Sequence, residues 1–145
     1  MNIEVNGVKI TLTKEQLSEI SKQTCKFKSY TDIKSFEDAC NYLNISTEIP
    51  IGVTYSDSHI AKYKLEIITQ AINKLTNFEI DWDNECQRKY YPYFKMGKNF
   101  GFCSVDYDYW ISGCRVGSRV CFKDEEIARY MGTQFEDTYK TWLNK

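Results

Sequence analysis

From Ser35 onward the apolar pattern of this chain changes period twice, and that change limits the folds open to it. From Ser35 to Leu75 apolar residues recur at helical spacing, from Tyr90 to Phe122 they alternate, and after Asp124 helical spacing returns. Helical stripes and alternating strands can share one core only as packed layers, so the pattern predicts an α+β domain.

The elements follow from local signals. Ile3-Glu4-Val5 and Val8 to Leu12 alternate around Asn6-Gly7, a pair that tolerates the positive φ of a type I′ turn, so an amino-terminal β-hairpin is expected. Thr13-Lys14-Glu15-Gln16 reads as a capping box opening a short helix through Ile20. Ser35 starts a second helix with Phe36, Ala39, Cys40 and Leu43 on one face. Residues 44–57, with Pro50 and Gly52, read as a loop. Asp57 or Ser58 then caps a third helix to about Leu75, with Ile60, Ile67, Ile68, Ala71, Ile72 and Leu75 in a stripe interrupted at Lys64.

Tyr90 to Phe94, Phe100 to Tyr109 and Arg115 to Phe122 read as three strands, with turns at Gly97 and Ser112-Gly113. Strands joined this closely form an antiparallel meander, and Pro92 places the first on an edge. A final helix from Asp124 carries Ile127, Met131, Phe135, Tyr139 and Trp142 on its apolar face. Gly132 inside it implies a close approach to the sheet, since glycine in a helix costs about 1 kcal/mol relative to alanine. The expected fold is therefore one α+β domain over residues 1–145. It has an N-terminal β-hairpin, three helices, and a C-terminal three-stranded antiparallel meander packed by a final helix.

A chain of 145 residues buries roughly 70% of its unfolded surface and needs no disulfide or metal to hold a core. Nineteen basic and twenty acidic side chains leave a net charge of −1. That balance excludes a basic nucleic-acid coat protein and a strongly acidic DNA mimic, so a charge-steered partner must be read by a local patch. The start of the sequence shows no secretory signal, and no run reaches the roughly 18 apolar residues of a membrane span. The expected location is the cytoplasm. There the six cysteines (Cys25, Cys40, Cys86, Cys103, Cys114 and Cys121) should remain thiols.

Few residues carry the chemistry of catalysis. The single histidine, His59, sits near a helix start in no recognisable nucleophile setting. The cysteine spacing does not suit zinc, and Cys103 and Cys121 are expected to face each other in the meander as small apolar filler. Asp81-Trp82-Asp83-Asn84-Glu85 resembles the start of a calcium loop, but Cys86 stands where glycine is needed and Pro92 at the closing position. An acidic turn with Trp82 tucked into the core is expected instead. Asp106 and Asp108 share a strand face and are expected to pair with Arg115 and Arg119 on the next strand. The sequence thus implies no catalytic residue, metal or cofactor. A hydrolase using Asp106, Asp108 and His59 is the weakest of three classes considered.

The stretch from Arg88 to Phe102 is the most informative. It contains Arg88, Lys89, Lys95 and Lys98, six aromatic rings and no acid. Basic groups neutralise phosphates and rings stack on bases, so Arg88, Lys89, Tyr91, Tyr93, Lys95, Lys98 and Phe100 are candidate contacts to single-stranded nucleic acid or to a protein partner. Lys98 to Val105 echoes the signature strand of the RNA-recognition motif. Asn99 departs from it, however, and neither the partner strand nor the element order of that fold is present. A plain structural role also accounts for the composition: lysines keep an edge hairpin soluble while its rings pack the core.

Taken together, Lys89 to Phe94, Phe100 to Phe102, Val116 to Lys123, Ala128 to Phe135 and Tyr139-Lys140, preceded by Ser35 to Leu43, resemble a group of small uncharacterised proteins from phages and integrated elements of gut bacteria. The resemblance spans about residues 31–145. It implies a phage or mobile-element setting and no particular catalytic residue. On this reading the protein is a non-enzymatic accessory protein that binds a host or virion protein, inhibition of host defence of the anti-CRISPR type being one form. The alternative is a single-stranded nucleic-acid-binding module using residues 88–102. No membrane partner is expected.

The cysteine reading is directly measurable. Alkylation of the denatured protein without reductant should add six adducts by intact mass; two or more protected cysteines would refute it.

Overall fold

The structure is a computed structural model that describes residues 2–5, 8–11, 13, 27–50, 56–84, 86–108 and 119–143. β1 (Asn2–Val5) and β2 (Val8–Thr11) pair antiparallel with Ile3 opposite Ile10 and Val5 opposite Val8, as the alternation around Asn6-Gly7 predicts. The Asn6-Gly7 turn, the helix expected after Thr13, the Ser112-Gly113 turn and residues 115–118 lie outside the described residues.

A short 3-10 turn, Tyr30–Asp32, is closed by a capping box in which Ser29 and Asp32 exchange side-chain and backbone hydrogen bonds. Helix α1 (Phe36–Leu43) begins where Ser35 Oγ accepts from the Asp38 N–H, and it ends at Asn44 in the left-handed conformation. Helix α2 (Asp57–Leu75) is capped by Ser56, one residue before the expected position. Its buried residues are Ala61, Leu65, Ile68, Thr69, Ala71 and Ile72. The buried face is thus rotated from the expected stripe, because α2 is flanked by α1 and by the last helix and must bury two sides. Lys64, the interruption in that stripe, lies with its Nζ 5.5 Å from the Phe36 ring centre.

The carboxy-terminal sheet differs from expectation. Among the described residues it has two strands, β3 (Lys89–Lys95) and β4 (Gly101–Asp108), not the three of a meander. Of the described residues of the expected third strand, 119–122, Phe122 alone pairs, through two hydrogen bonds with Tyr90 of 3.0 and 2.8 Å. Toward the carboxy terminus the pairing stops because Asp124 caps a helix; the neighbouring Cys121 carbonyl faces away from β3 and accepts from Asn73 Nδ2 of α2 at 3.0 Å. Cys103 and Cys121 therefore do not face each other: Cys103 is an exposed bulge residue and Cys121 is buried beside α2.

The expected final helix is two: α3 (Glu125–Gln134) and α4 (Glu136–Leu143). Phe135 breaks the axis with φ −113° and ψ 24°. With two helices ahead of β3 and two after β4, the described residues hold four α-helices, none of them long and apolar enough to cross a membrane.

The break has a use. It turns the Glu136 carboxylate onto the outer edge of β4, where it accepts the Phe102 N–H at 3.2 Å. Ile127, Met131, Phe135 and Tyr139 of the expected stripe are buried, and Trp142 is half-buried. The Tyr139 hydroxyl is buried without a partner, and burial pushes its ionisation well above the ordinary tyrosine range. Tyr130 donates to the Ile33 carbonyl at 2.8 Å and Gln134 to the Lys34 carbonyl at 3.1 Å, so α3 holds residues 33–34 against itself. Burial, with Asp38 and Asp32 nearby, pushes the Tyr130 pKa up to about 12.

Gly132 is where α3 meets the ribbon. A Cβ there would enter the Phe102 ring and lie 2.9 Å from Pro92 Cβ. Gly132→Ala should therefore destabilise by about 1–3 kcal/mol in urea unfolding, because overpacking outweighs the helix-propensity gain of about 1 kcal/mol. A stability increase would show that the ring yields freely.

Candidate functional site

Alternation gives the β3–β4 ribbon two unlike faces. Tyr90, Pro92 and Phe94 point inward with Phe102. Phe94 lies 5.3 Å from the Phe100 ring in a stacked pair, 6.0 Å from Phe102 and 4.7 Å from Tyr139. Lys89, Tyr91, Tyr93 and Lys95 fall on the other face, with Tyr91 opposite Asp106, Tyr93 opposite Ser104 and Lys95 opposite Gly101. A bulge between Tyr93 and Phe94 leaves Cys103 without an opposite residue. Gly97 closes the hairpin at φ +97°, a conformation that favours glycine.

The structure separates the seven candidate residues. Tyr93 is 54% exposed, and its neighbours Lys95, Met96 and Lys98 are also exposed, Met96 at 51%. Arg88 is exposed just before β3, and Tyr91 is half-buried. Tyr91, Tyr93, Lys95 and Lys98 share one face or its tip, and Arg88 lies at the opposite end of β3. Phe100 leaves the set, because its ring packs on Phe94 at the core margin.

Lys89 leaves it too. It is fully buried, its ammonium donates to the Gln87 carbonyl at 3.1 Å, and it sits 5.6 Å from the Trp82 ring centre. Buried lysine is rare because an ammonium loses its hydration, so the carbonyl and the ring act as partial substitutes. Sequence reasoning grouped Lys89 with the surface lysines. The available signal was its neighbour Trp82, placed in the expected acidic turn but assigned to the core instead of to a cation.

Loop 78–88 is held by the Gln87 side chain, which accepts the Asp81 N–H at 2.8 Å and donates to the Glu79 carbonyl at 2.9 Å. Asp81 Oδ1 and Asn84 Oδ1 accept N–H groups of Asp83 and Cys86, so these oxygens serve the turn. No group of three or more metal-ligating side chains gathers among the described residues.

The remaining candidates are dispersed. His59 is exposed at the start of α2, with Nδ1 2.7 Å from Ser56 Oγ. Asp106 is exposed on the outer face of β4. Arg119 stands in a turn beside α2 and not on a strand next to β4, so the expected Asp–Arg ladder does not include it; Arg115 lies outside the described residues. Burial, and then the Glu37 charge, push the Cys40 thiol up, which keeps it protonated and unreactive.

Comparison with protein-family models, curated proteins and solved structures finds no match to this chain.

The two classes of lysine should part in mutagenesis. Lys89→Ala removes a buried stem and should cost about 2–3 kcal/mol in urea unfolding. Lys95→Ala and Lys98→Ala should stay within about 0.5 kcal/mol of the parent. Equal effects at all three positions would refute the assignment.

Proposed function

We propose that the protein is a non-catalytic binding protein that engages an acidic patch on a protein partner through the tip and outer face of the β3–β4 hairpin. The observation that carries this reading is Tyr93 and Met96, both more than half exposed, set beside Lys95 and Lys98 in a stretch without a carboxylate from Cys86 to Phe102. Exposed tyrosine and methionine supply contact area, and the lysines select for negative charge. His59 engaged at a helix cap and Asp81 and Asn84 engaged in a turn add support, since these polar groups are accounted for structurally. The resemblance to phage and integrated-element proteins makes the partner a host or virion protein met in the host cytoplasm, with a host-defence component as one form.

Single-stranded nucleic acid is the second reading, favoured by the exposed Tyr93 ring between basic groups. Its support is thinner than the composition promises. Lys89 and Phe100 are committed to packing, and Asp106 shares the face with Tyr91. A single-strand groove needs several rings and a continuous positive track.

Two measurements decide. Capture of a partner from bacterial lysate should fail with Tyr93→Ala and with Lys95→Glu, at unchanged thermal stability; loss of the tyrosine should cost about 2 kcal/mol of affinity once the partner is purified. Fluorescence anisotropy with a labelled oligonucleotide should show no binding at low salt. Oligonucleotide binding that falls steeply with salt and weakens in Tyr93→Ala would establish the second reading. Partner capture unaffected by both substitutions would remove the hairpin from the function.

A further inference from the structure

A second site stands on α2, apart from the hairpin. The chain doubles back after Leu75 through Asn77 at φ +51°, and the Phe78 N–H donates to the Asn73 carbonyl at 2.8 Å. This return places residues 78–80 alongside α2 and borders an open cleft of about 640 Å³. That volume falls in the range of small-ligand sites, roughly 300–1,000 Å³.

The cleft is built over unpaired hydrogen-bonding groups. Thr69, which lines it, is 2% exposed, and its Oγ1 has no hydrogen-bond partner. Asn73 Oδ1, one turn later, is also buried and unpartnered, while its Nδ2 is used on the Cys121 carbonyl. Other helical threonines, Thr133 and Thr141, return their hydroxyls to the carbonyl four residues back; Thr69 makes no such bond. Folded proteins pair nearly all buried polar atoms. Of the three buried side-chain oxygens without a partner among the described residues, two belong to residues that line this cleft one helical turn apart.

The chemistry of the lining is specific. Glu66, Thr69, Gln70 and Asn73 follow at i, i+3, i+4 and i+7, a single stripe bearing oxygen acceptors. Lys74 and Arg119 lie beyond it, and Phe78 and Ile80 form an apolar wall. With Glu66 and Glu79 against Lys74 and Arg119, the rim carries no net charge, which suits a zwitterion better than an anion.

We propose that this cleft binds an α-ammonium group carried on an apolar residue, either a free amino acid or the amino terminus of a short peptide. An ammonium has three N–H donors and no acceptor, which matches the unpaired Thr69 and Asn73 oxygens with Glu66 supplying the opposite charge. The apolar side chain lies against Phe78 and Ile80, and the carboxylate faces Lys74 and Arg119. The two oxygens are closed off from bulk water, so binding includes a side-chain rotation at the cleft floor.

Isothermal titration of the full chain with L-leucine, L-leucyl-L-leucine and N-acetyl-L-leucine tests this. One of the first two should bind, with leucine itself indicating a free amino acid and the dipeptide alone indicating a peptide terminus. N-acetylation removes the ammonium and should weaken binding by about tenfold or more. Thr69→Val, which keeps the shape and removes the hydroxyl, should weaken binding about fivefold or more while the melting temperature holds or rises. Absence of binding by all three at millimolar concentration would overturn the proposal, as would equal affinity for the acetylated compound. So would a Thr69→Val protein that melts lower and binds unchanged, since the hydroxyl would then serve the fold.

Discussion

A helix can approach a β-ribbon only as closely as the residue between them allows, and here that residue is Gly132, against Phe102 and Pro92. The approach brings α3 onto the inner face of β3 and β4. It lets Phe94 gather Phe100, Phe102 and Tyr139 within 4.7 to 6.0 Å. Tyr130 and Gln134, on the same helix, hold the backbone at Ile33 and Lys34. The break at Phe135 then turns α4 so that Glu136 closes the edge of β4, while α4 packs along α2. Each of these contacts presupposes the short helix–ribbon distance.

The same packing divides the ribbon into unlike faces. Rings on the inner face exclude water and make the core. The outer face, with no helix above it, keeps Tyr93 and Lys95 in solvent. Both edges of the ribbon are interrupted at described positions. Tyr90 is bridged by Phe122, Pro92 has no N–H to offer, and the Phe102 N–H is taken by Glu136.

The cleft on α2 arises from a different constraint. Helix α2 must bury two sides, so Thr69 is carried inward along with Leu65 and Ile72 although its hydroxyl finds no partner. Asn73 divides its amide between the Cys121 carbonyl and the cleft. The side-chain bond to Cys121 thus leaves the Asn73 Oδ1 acceptor unpaired one turn from Thr69.

Local signals account for much of what was legible in advance. Ser35 and Asp124 cap their helices, Gly97 turns the hairpin, and the stripe from Ile127 to Tyr139 is buried, because caps, turns and apolar period are properties of neighbouring residues. The glycine at 132 also pointed correctly to a close approach. Decisions made between distant residues were not legible. Asn73 binds the Cys121 carbonyl across 48 positions and ties the segment before Phe122 to α2, a contact that alternation does not reveal. Phe135 breaks a helix whose apolar stripe runs through it, because Glu136 has a strand edge to satisfy. Lys89 and Lys95 look alike in sequence, yet one lies beneath Trp82 and the other in water. The sequence by itself determined the starts of α1 and α3, the β3–β4 hairpin and the apolar face of α3, since these depend on spacing along the chain. Only the tertiary structure decided how many strands pair, which candidate residues reach solvent and which polar atoms lack a partner, since these depend on groups far apart in the chain meeting in space.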